Sequence, residues 1–243
     1  ERKNAEIMRE KITADLTQRN KDLEQFTYIV SHNLRAPVAN ILGLLNLFDE
    51  ANLNKETEKK IKHSLFYSAE KLDDIIRDLH QILEVRHKLS EQRKMVKFSD
   101  LLNDVKAGMS NVIETEDVLI SADFSEALEI FTLKNYLYSI FYNLISNSIK
   151  FRQPHIRLII EIRSQKERDK IKLVFKDNGM GIDLKKQGDQ VFGLYKRFHL
   201  HVEGKGFGLF MVKTEVEMLG GSIHIASGVN KGTIFTINFY QQE

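Results

Sequence analysis

Asn143, Asn147 and Lys150 stand four and three residues apart in Asn143-Leu-Ile-Ser-Asn147-Ser-Ile-Lys150. In a helix that spacing puts two amides and an ammonium on one face. Such a face suits a Mg²⁺-bound phosphate chain, because an amide oxygen is a hard ligand and Mg²⁺ shares its coordination with waters and phosphates. Alone, the same three residues suit a solvated helix face better. A second group is Asp177-Asn178-Gly179-Met180-Gly181. A carboxylate there can accept a hydrogen bond from an exocyclic amine such as adenine's, and the glycines let backbone approach a flat ring. Asn-Gly is also an ordinary turn. A third group, Gly204-Lys205-Gly206-Phe207-Gly208-Leu209, opens a helical run. Glycines before a helix start expose N–H groups at the positive end of the helix dipole, where phosphate binds. No strand immediately precedes this group, so it departs from the dinucleotide-fold order.

These groups need elements to hold them. Leu133 to Phe151 reads as a strong helix, with Tyr136, Leu137, Ile140, Phe141, Leu144, Ile145 and Ile149 apolar. Ile156 to Ser164 and Lys170 to Asp177 read as strands around a turn at Lys166 to Asp169. Residues 178 to 206 are glycine-dotted and read as one long loop. Gly208 to Leu219 reads as a helix, and Ser222 to Ala226 with Thr233 to Phe239 as a closing hairpin. Upstream, Met95 to Phe98 and Val118 to Phe124 read as strands, and Ser99 as the N-cap of a helix carrying Leu101, Leu102 and Val105. Residues 93–243 are thus expected to form an α+β sandwich, helices on one face of a mostly antiparallel sheet.

Residues 1–92 have a different pattern. Ile12, Leu16, Leu23, Phe26 and Val30 recur in steps of three, four or seven, the seam of a long amphipathic helix that Arg19 breaks once. Asp49 to Asn54 reads as a turn. Ile61, Leu65, Leu72, Ile75, Leu79 and Ile82 mark a second helix. Two such helices make an all-α helical hairpin, and pairing two hairpins into a dimeric four-helix bundle would bury both apolar stripes, so a homodimer is expected.

The bulk properties narrow the partners. The 36 Lys and Arg residues balance 34 Asp and Glu, which gives no electrostatic case for nucleic acid or an anionic membrane. Without cysteine there are no disulfides or thiolate metal sites. No apolar run reaches the ~20 residues that cross a bilayer, and no secretory signal is seen. The chain begins at Glu1 and reads as a cytoplasmic fragment of a longer protein that an upstream segment could anchor to a membrane. His63, His80 and His87 read as helix-surface residues. His199 and His201 read as a solvated loop pair with no third metal ligand.

The order and spacing of the three groups resemble the N, G1 and G2 boxes of the GHKL ATP-binding fold, shared by histidine kinases, type II topoisomerases, mismatch-repair ATPases and heat-shock chaperones. Val191-Phe-Gly-Leu-Tyr-Lys-Arg197-Phe198 looks like the kinase F box, and Gly232-Thr233-Ile234-Phe235 like the last glycine box. The resemblance covers roughly residues 95 to 243. It implies ATP and Mg²⁺ as cofactors. Asn147 would ligate the metal, Asn143 and Lys150 would meet the phosphates, Asp177 would select adenine and Arg197 would reach the terminal phosphates. Phe151, Gly179, Gly181, Gly204, Lys205, Gly206, Phe207, Gly208, Leu209 and Thr233 would complete the pocket. Hydrolytic members carry a glutamate where this chain has Asn143, and an amide cannot take a proton from water. Another nucleophile is then needed.

Phe26-Thr-Tyr-Ile-Val-Ser31-His32-Asn33-Leu34-Arg35-Ala36-Pro37 resembles the H box of HisKA-type histidine kinases. By that resemblance His32 is the phosphoacceptor and lies beside the seam, off the core. An imidazole ring nitrogen is a competent nucleophile. Pro37 would bend or loosen the helix just beyond it. The resemblance further implies transfer of the phosphoryl group to an aspartate on a response regulator receiver domain, under an upstream sensor domain in the same parent chain. The family's usual acid after the histidine is Asn33 here, which can orient the ring but supplies no charge. Its usual Thr or Asn four residues after the histidine is Ala36, which cannot orient water, so weak phosphatase activity is expected. A GHKL hydrolase and a nucleotide-binding pseudokinase scaffold are the alternatives.

Overall fold

The structure, a computed structural model, describes residues 2–50, 54–87, 92–198 and 206–240. It divides into two compact units, Glu1–Glu84 and Val85–Glu243.

The first unit holds two long helices, α1 (Arg2–Glu50) and α2 (Lys55–His87). The predicted turn is shorter than expected at its start, since Asp49 and Glu50 still belong to α1. The helix runs through Pro37 without ending. A proline there removes one N–H bond but leaves the rest of the ladder intact. The Asn54 side chain accepts the Thr57 N–H at 2.8 Å and starts α2 as an N-cap. Along α2, Ile61 is buried and Leu65, Leu72, Ile75 and Leu79 are half-buried, following the predicted stripe. On α1, Phe26 and Val30 are half-buried, while Ile12 and Leu16 are exposed in the single chain. The side chains of Leu23 and Ile82 lie outside the described residues.

The second unit opens with β1 (Lys94–Lys97), α3 (Phe98–Gly108), α4 (Ser110–Thr115), β2 (Leu119–Asp123), β3 (Glu129–Thr132) and α5 (Lys134–Lys150). It continues with β4 (Ile159–Glu167), β5 (Lys170–Asp177), α6 (Leu184–Gln187), a 3₁₀ turn at Gly188–Gln190, α7 (Gly208–Met218), β6 (Gly221–Ser227) and β7 (Thr233–Tyr240). Five strands form one sheet in the order β2-β4-β5-β7-β6, parallel only between β2 and β4; β1 and β3 make a separate antiparallel pair.

The period of two decides the faces of the sheet. Ile162, Phe175 and Phe235 lie in one row across β4, β5 and β7; Ser164, Leu173 and Ile237 form the next row. All six are buried. The opposite face is polar, with Lys176 bonded to Glu161 at 3.1 Å. α5 covers the buried face with the seven apolar residues expected of it, and its Phe141 ring meets Phe175 edge-on at 4.8 Å.

Several boundaries differ from expectation. α3 starts at Phe98, not after Ser99. Lys97 ends β1 in extended conformation and the Phe98 N–H is taken by the Leu128 carbonyl, so the chain passes from strand to helix without a side-chain cap. β4 begins at Ile159 and runs to Glu167. Lys166 and Glu167 stay in the ladder opposite Ile171 and Lys170, which leaves only Arg168 and Asp169 to turn. The loop after β5 contains α6 and the 3₁₀ turn.

Candidate functional site

α5 is amphipathic in a way that builds a site. Its apolar side is buried against the sheet, and Asn143, Asn147 and Lys150 lie on the remaining side and line a cleft. α7 must come close for that. A Cβ placed on Gly208, its first residue, would stand 3.1 Å from Asn143 Oδ1 and 3.4 Å from Asn147 Nδ2. The Asn143 side-chain nitrogen donates to the Ser139 carbonyl at 2.9 Å and to the Ser139 hydroxyl at 3.2 Å. A carbonyl can only accept, so the amide nitrogen must face it and Oδ1 is left toward Gly208.

Asp177 ends β5 in a half-buried position and is tied down on both oxygens. Oδ1 accepts the Gly179 N–H at 2.8 Å and the Thr233 N–H at 3.1 Å; Oδ2 accepts the Ser148 hydroxyl at 3.0 Å. Burial pushes its carboxyl above the ordinary value, and these three donors pull against that shift. Asn178 staples the same loop to the sheet. It accepts the Ile159 N–H at 2.9 Å and donates to the Arg157 carbonyl at 3.0 Å. The end of α5 is joined to the loop too, since the Met180 N–H reaches the Phe151 carbonyl at 2.9 Å.

Gly181 has φ +65°, and a Cβ on it would lie 2.0 Å from the Gly228 carbonyl oxygen. Both conformation and space therefore exclude a side chain. Gly181→Ala is expected to lower stability by more than ~2 kcal/mol, read as an earlier midpoint in urea unfolding of the second unit.

Together these elements enclose a cleft of about 270 Å³. Of the predicted pocket residues it is lined by Asn143, Asn147, Lys150, Phe151, Asp177, Gly181, Arg197, Gly206, Phe207, Gly208, Leu209 and Thr233. Gly179 lies beneath it, its missing Cβ facing the Phe151 carbonyl at 2.8 Å. Gly204 and Lys205 fall outside the described residues, as do His199 and His201. The cleft also takes in Ser146, Ser148, Ile182, Val191, Lys196, Phe198 and Phe235. Ser148 carried no spacing signal, since it reaches the cleft through Asp177, 29 residues away.

The donor set fits a magnesium nucleotide. The cleft lining combines apolar side chains such as Ile182, Val191 and Phe235 with a fixed carboxylate, amides, and the cations Lys150 and Arg197. Asn147 would hold the metal, which would supply charge neutralisation at the phosphates. Among the described residues lining the cleft, Asp177 is the sole carboxylate.

In the first unit, His32 is exposed on α1. The Tyr28 ring, one turn earlier, lies 6.3 Å from its ring, inclined by 28°. Asn33 and Leu34 are half-buried and Ala36 is exposed.

The chain is 28% identical over 229 residues to the methanogenesis regulatory histidine kinase FilI of Methanothrix harundinacea, an alignment that takes 92% of this chain and 25% of FilI. It thus spans about a quarter of that relative's length. In fold it is similar to the Acinetobacter baumannii histidine kinase AdeS, with TM-score 0.61, 20% identity, and 87% of this chain on 98% of that one. It is also similar to full-length ShkA in complex with AMPPNP, with TM-score 0.59, 19% identity and coverages of 90% and 46%. The same holds for the histidine kinase ThkA in complex with the response regulator TrrA, with TM-score 0.60, 18% identity and coverages of 93% and 64%. At these identities the structures establish the likeness of fold. Residues 132–243 match the family described as histidine kinase-, DNA gyrase B-, and HSP90-like ATPase.

Proposed function

We propose that this chain is the catalytic core of a two-component sensor kinase, which uses MgATP to phosphorylate His32 and passes the phosphoryl group to an aspartate of a response regulator receiver domain. Residues 1–92 would supply the helical hairpin, paired with a second copy in a four-helix bundle and moved by an upstream sensor domain of the parent protein. Residues 93–243 would bind the nucleotide. Among the described residues no helix is long and apolar enough to cross a membrane, and a cytoplasmic site of action, with any anchor elsewhere in the parent protein, fits this role. The ShkA complex with AMPPNP and the ThkA complex with TrrA lend support to the nucleotide and the partner.

One observation carries the choice of kinase over hydrolase. Asn143 stands where a hydrolytic relative carries its glutamate, and its amide is committed to Ser139. Asp177, the single carboxylate among the described residues lining the cleft, is engaged by two backbone N–H groups and a hydroxyl. The amide cannot relieve an attacking water of its proton, and the Asp177 carboxylate is already engaged in holding the loop. In the proposed reaction a His32 ring nitrogen attacks the γ-phosphorus, the bond to the ADP oxygen breaks, and Lys150 and Arg197 offset charge on the moving phosphoryl group. The test is incubation with γ-labelled ATP. Label that is acid-labile and base-stable marks phosphohistidine; free phosphate with unlabelled protein would overturn the reading.

The neighbours of His32 set the balance of activities. Asn33 supplies no negative charge to the imidazole as it turns cationic. Asn33→Asp is expected to speed autophosphorylation about tenfold, measured as initial rate of labelling; an unchanged rate would show that the missing charge is immaterial. Ala36 offers no group to orient water, so phosphatase activity toward the phosphorylated regulator is expected to be weak, and Ala36→Thr to raise it.

A further inference from the structure

Glu215 is a carboxylic acid in the least suitable place for one. It lies on α7 among Met211, Val212 and Val216, 1% exposed, and its Oε2 has no hydrogen-bond partner among the described residues. Its carboxyl meets the Ser139 hydroxyl of α5. Gly208 meets Asn143 and Asn147 while Glu215, further along α7, meets Ser139, further back on α5. The two helices therefore run antiparallel, touching at both ends of this stretch.

Ser139 is the shared member of two contacts. It gives its hydroxyl hydrogen to Glu215 and accepts the Asn143 side-chain N–H at 3.2 Å. A serine inside a helix otherwise turns its hydroxyl back on the carbonyl four residues earlier, which redirects its lone pairs. The Glu215 carboxyl offers that hydroxyl an acceptor on α7 instead, which leaves an oxygen lone pair free for the Asn143 N–H.

We propose that Glu215 is a positioning residue for the cleft: through the Ser139 hydroxyl it reinforces the hold of the Ser139 carbonyl on the Asn143 amide, with its nitrogen turned inward and its oxygen toward the nucleotide. The proposal rests on the reading of the cleft as an ATP site for its consequence, though not for its geometry. Burial raises the Glu215 carboxyl to about 8, which keeps it uncharged at neutral pH. A neutral acid and a glutamine then present the same acceptor to Ser139, whereas leucine of similar bulk presents none.

The test uses the full chain with wild type, Glu215→Gln, Glu215→Leu, Ser139→Ala and the Glu215→Leu/Ser139→Ala pair. Two readouts are taken: affinity for a non-hydrolysable ATP analogue with Mg²⁺, and the NMR signals of the Asn143 side-chain amide without nucleotide. Glu215→Leu is expected to weaken binding about fivefold, the loss of one ordinary hydrogen bond, and to shift the Asn143 signals. Glu215→Gln restores both. The double variant binds no more weakly than Ser139→Ala, because one path is cut twice. Asn143 signals unmoved by Glu215→Leu, a glutamine that behaves as leucine does, or additive losses in the pair would overturn the proposal. A wild type that binds no analogue overturns the nucleotide reading instead, and the Asn143 signals still decide whether the Glu215 relay exists.

Discussion

His32→Gln is expected to abolish labelling from γ-labelled ATP while leaving affinity for the nucleotide as it is in wild type. Glutamine approximates the size and polarity of the imidazole but lacks a nucleophilic nitrogen, so no protein–phosphoryl bond can form. Asn147→Ala is expected to reduce labelling by ~10² or more, the scale on which losing one preorganised electrostatic contact slows a charge-separating step. The two losses have different origins, and nucleotide titration tells them apart. His32→Gln should bind the analogue normally; Asn147→Ala should lose the Mg²⁺-dependent part of its affinity. Label that persists in His32→Gln would move the acceptor elsewhere and remove the central claim. Nucleotide binding without any label in wild type would favour a scaffold.

Much of the cleft is legible in the sequence because its parts are local. Asn143, Asn147 and Lys150 share a helix face by spacing alone, and all three line the cleft. The seven apolar residues of α5 are the seven that are buried, since a period near 3.6 leaves little choice. What is not legible depends on partners distant in sequence. β3, only four residues long, is specified by its pairing with β1 across more than thirty residues, from Lys94↔Thr132 to Lys97↔Glu129. The start of α3 escapes a capping rule because the Phe98 N–H is satisfied by Leu128. The tie between Asp177 and Ser148 spans 29 residues and is visible only once β5 lies under α5. Glu215 is the sharpest case. On a helical wheel it stands among Met211, Val212 and Val216, where periodicity calls for an apolar side chain, and only the fold reveals Ser139 opposite it.

That buried acid leads to the second large effect. The Glu215 carboxyl titrates at about 8 in the folded chain against an ordinary 4.5. Its folded value is raised, so the folded state holds the proton more tightly than the unfolded state does. The stability it permits is fully present below pH 4.5 and is lost progressively as pH rises toward 8. By pH 7 the loss is about 3 kcal/mol, the scale of a shift of this size at 1.36 kcal/mol per pKa unit. The shift arises from burial, opposed only by the Ser139 hydroxyl, and no charged neighbour enters it. Glutamine has no proton to lose. Glu215→Gln should therefore stabilise the second unit, with a gap over wild type that is small at pH 5 and widens by about 3 kcal/mol by pH 8. The other titrating groups are common to both proteins and cancel in the difference. Chemical denaturation across that pH range measures the gap directly. A gap constant with pH would mean that Glu215 is ionised throughout and reached by water, and the neutral hydrogen-bonded acid that aims Ser139 at Asn143 could not then be the native state.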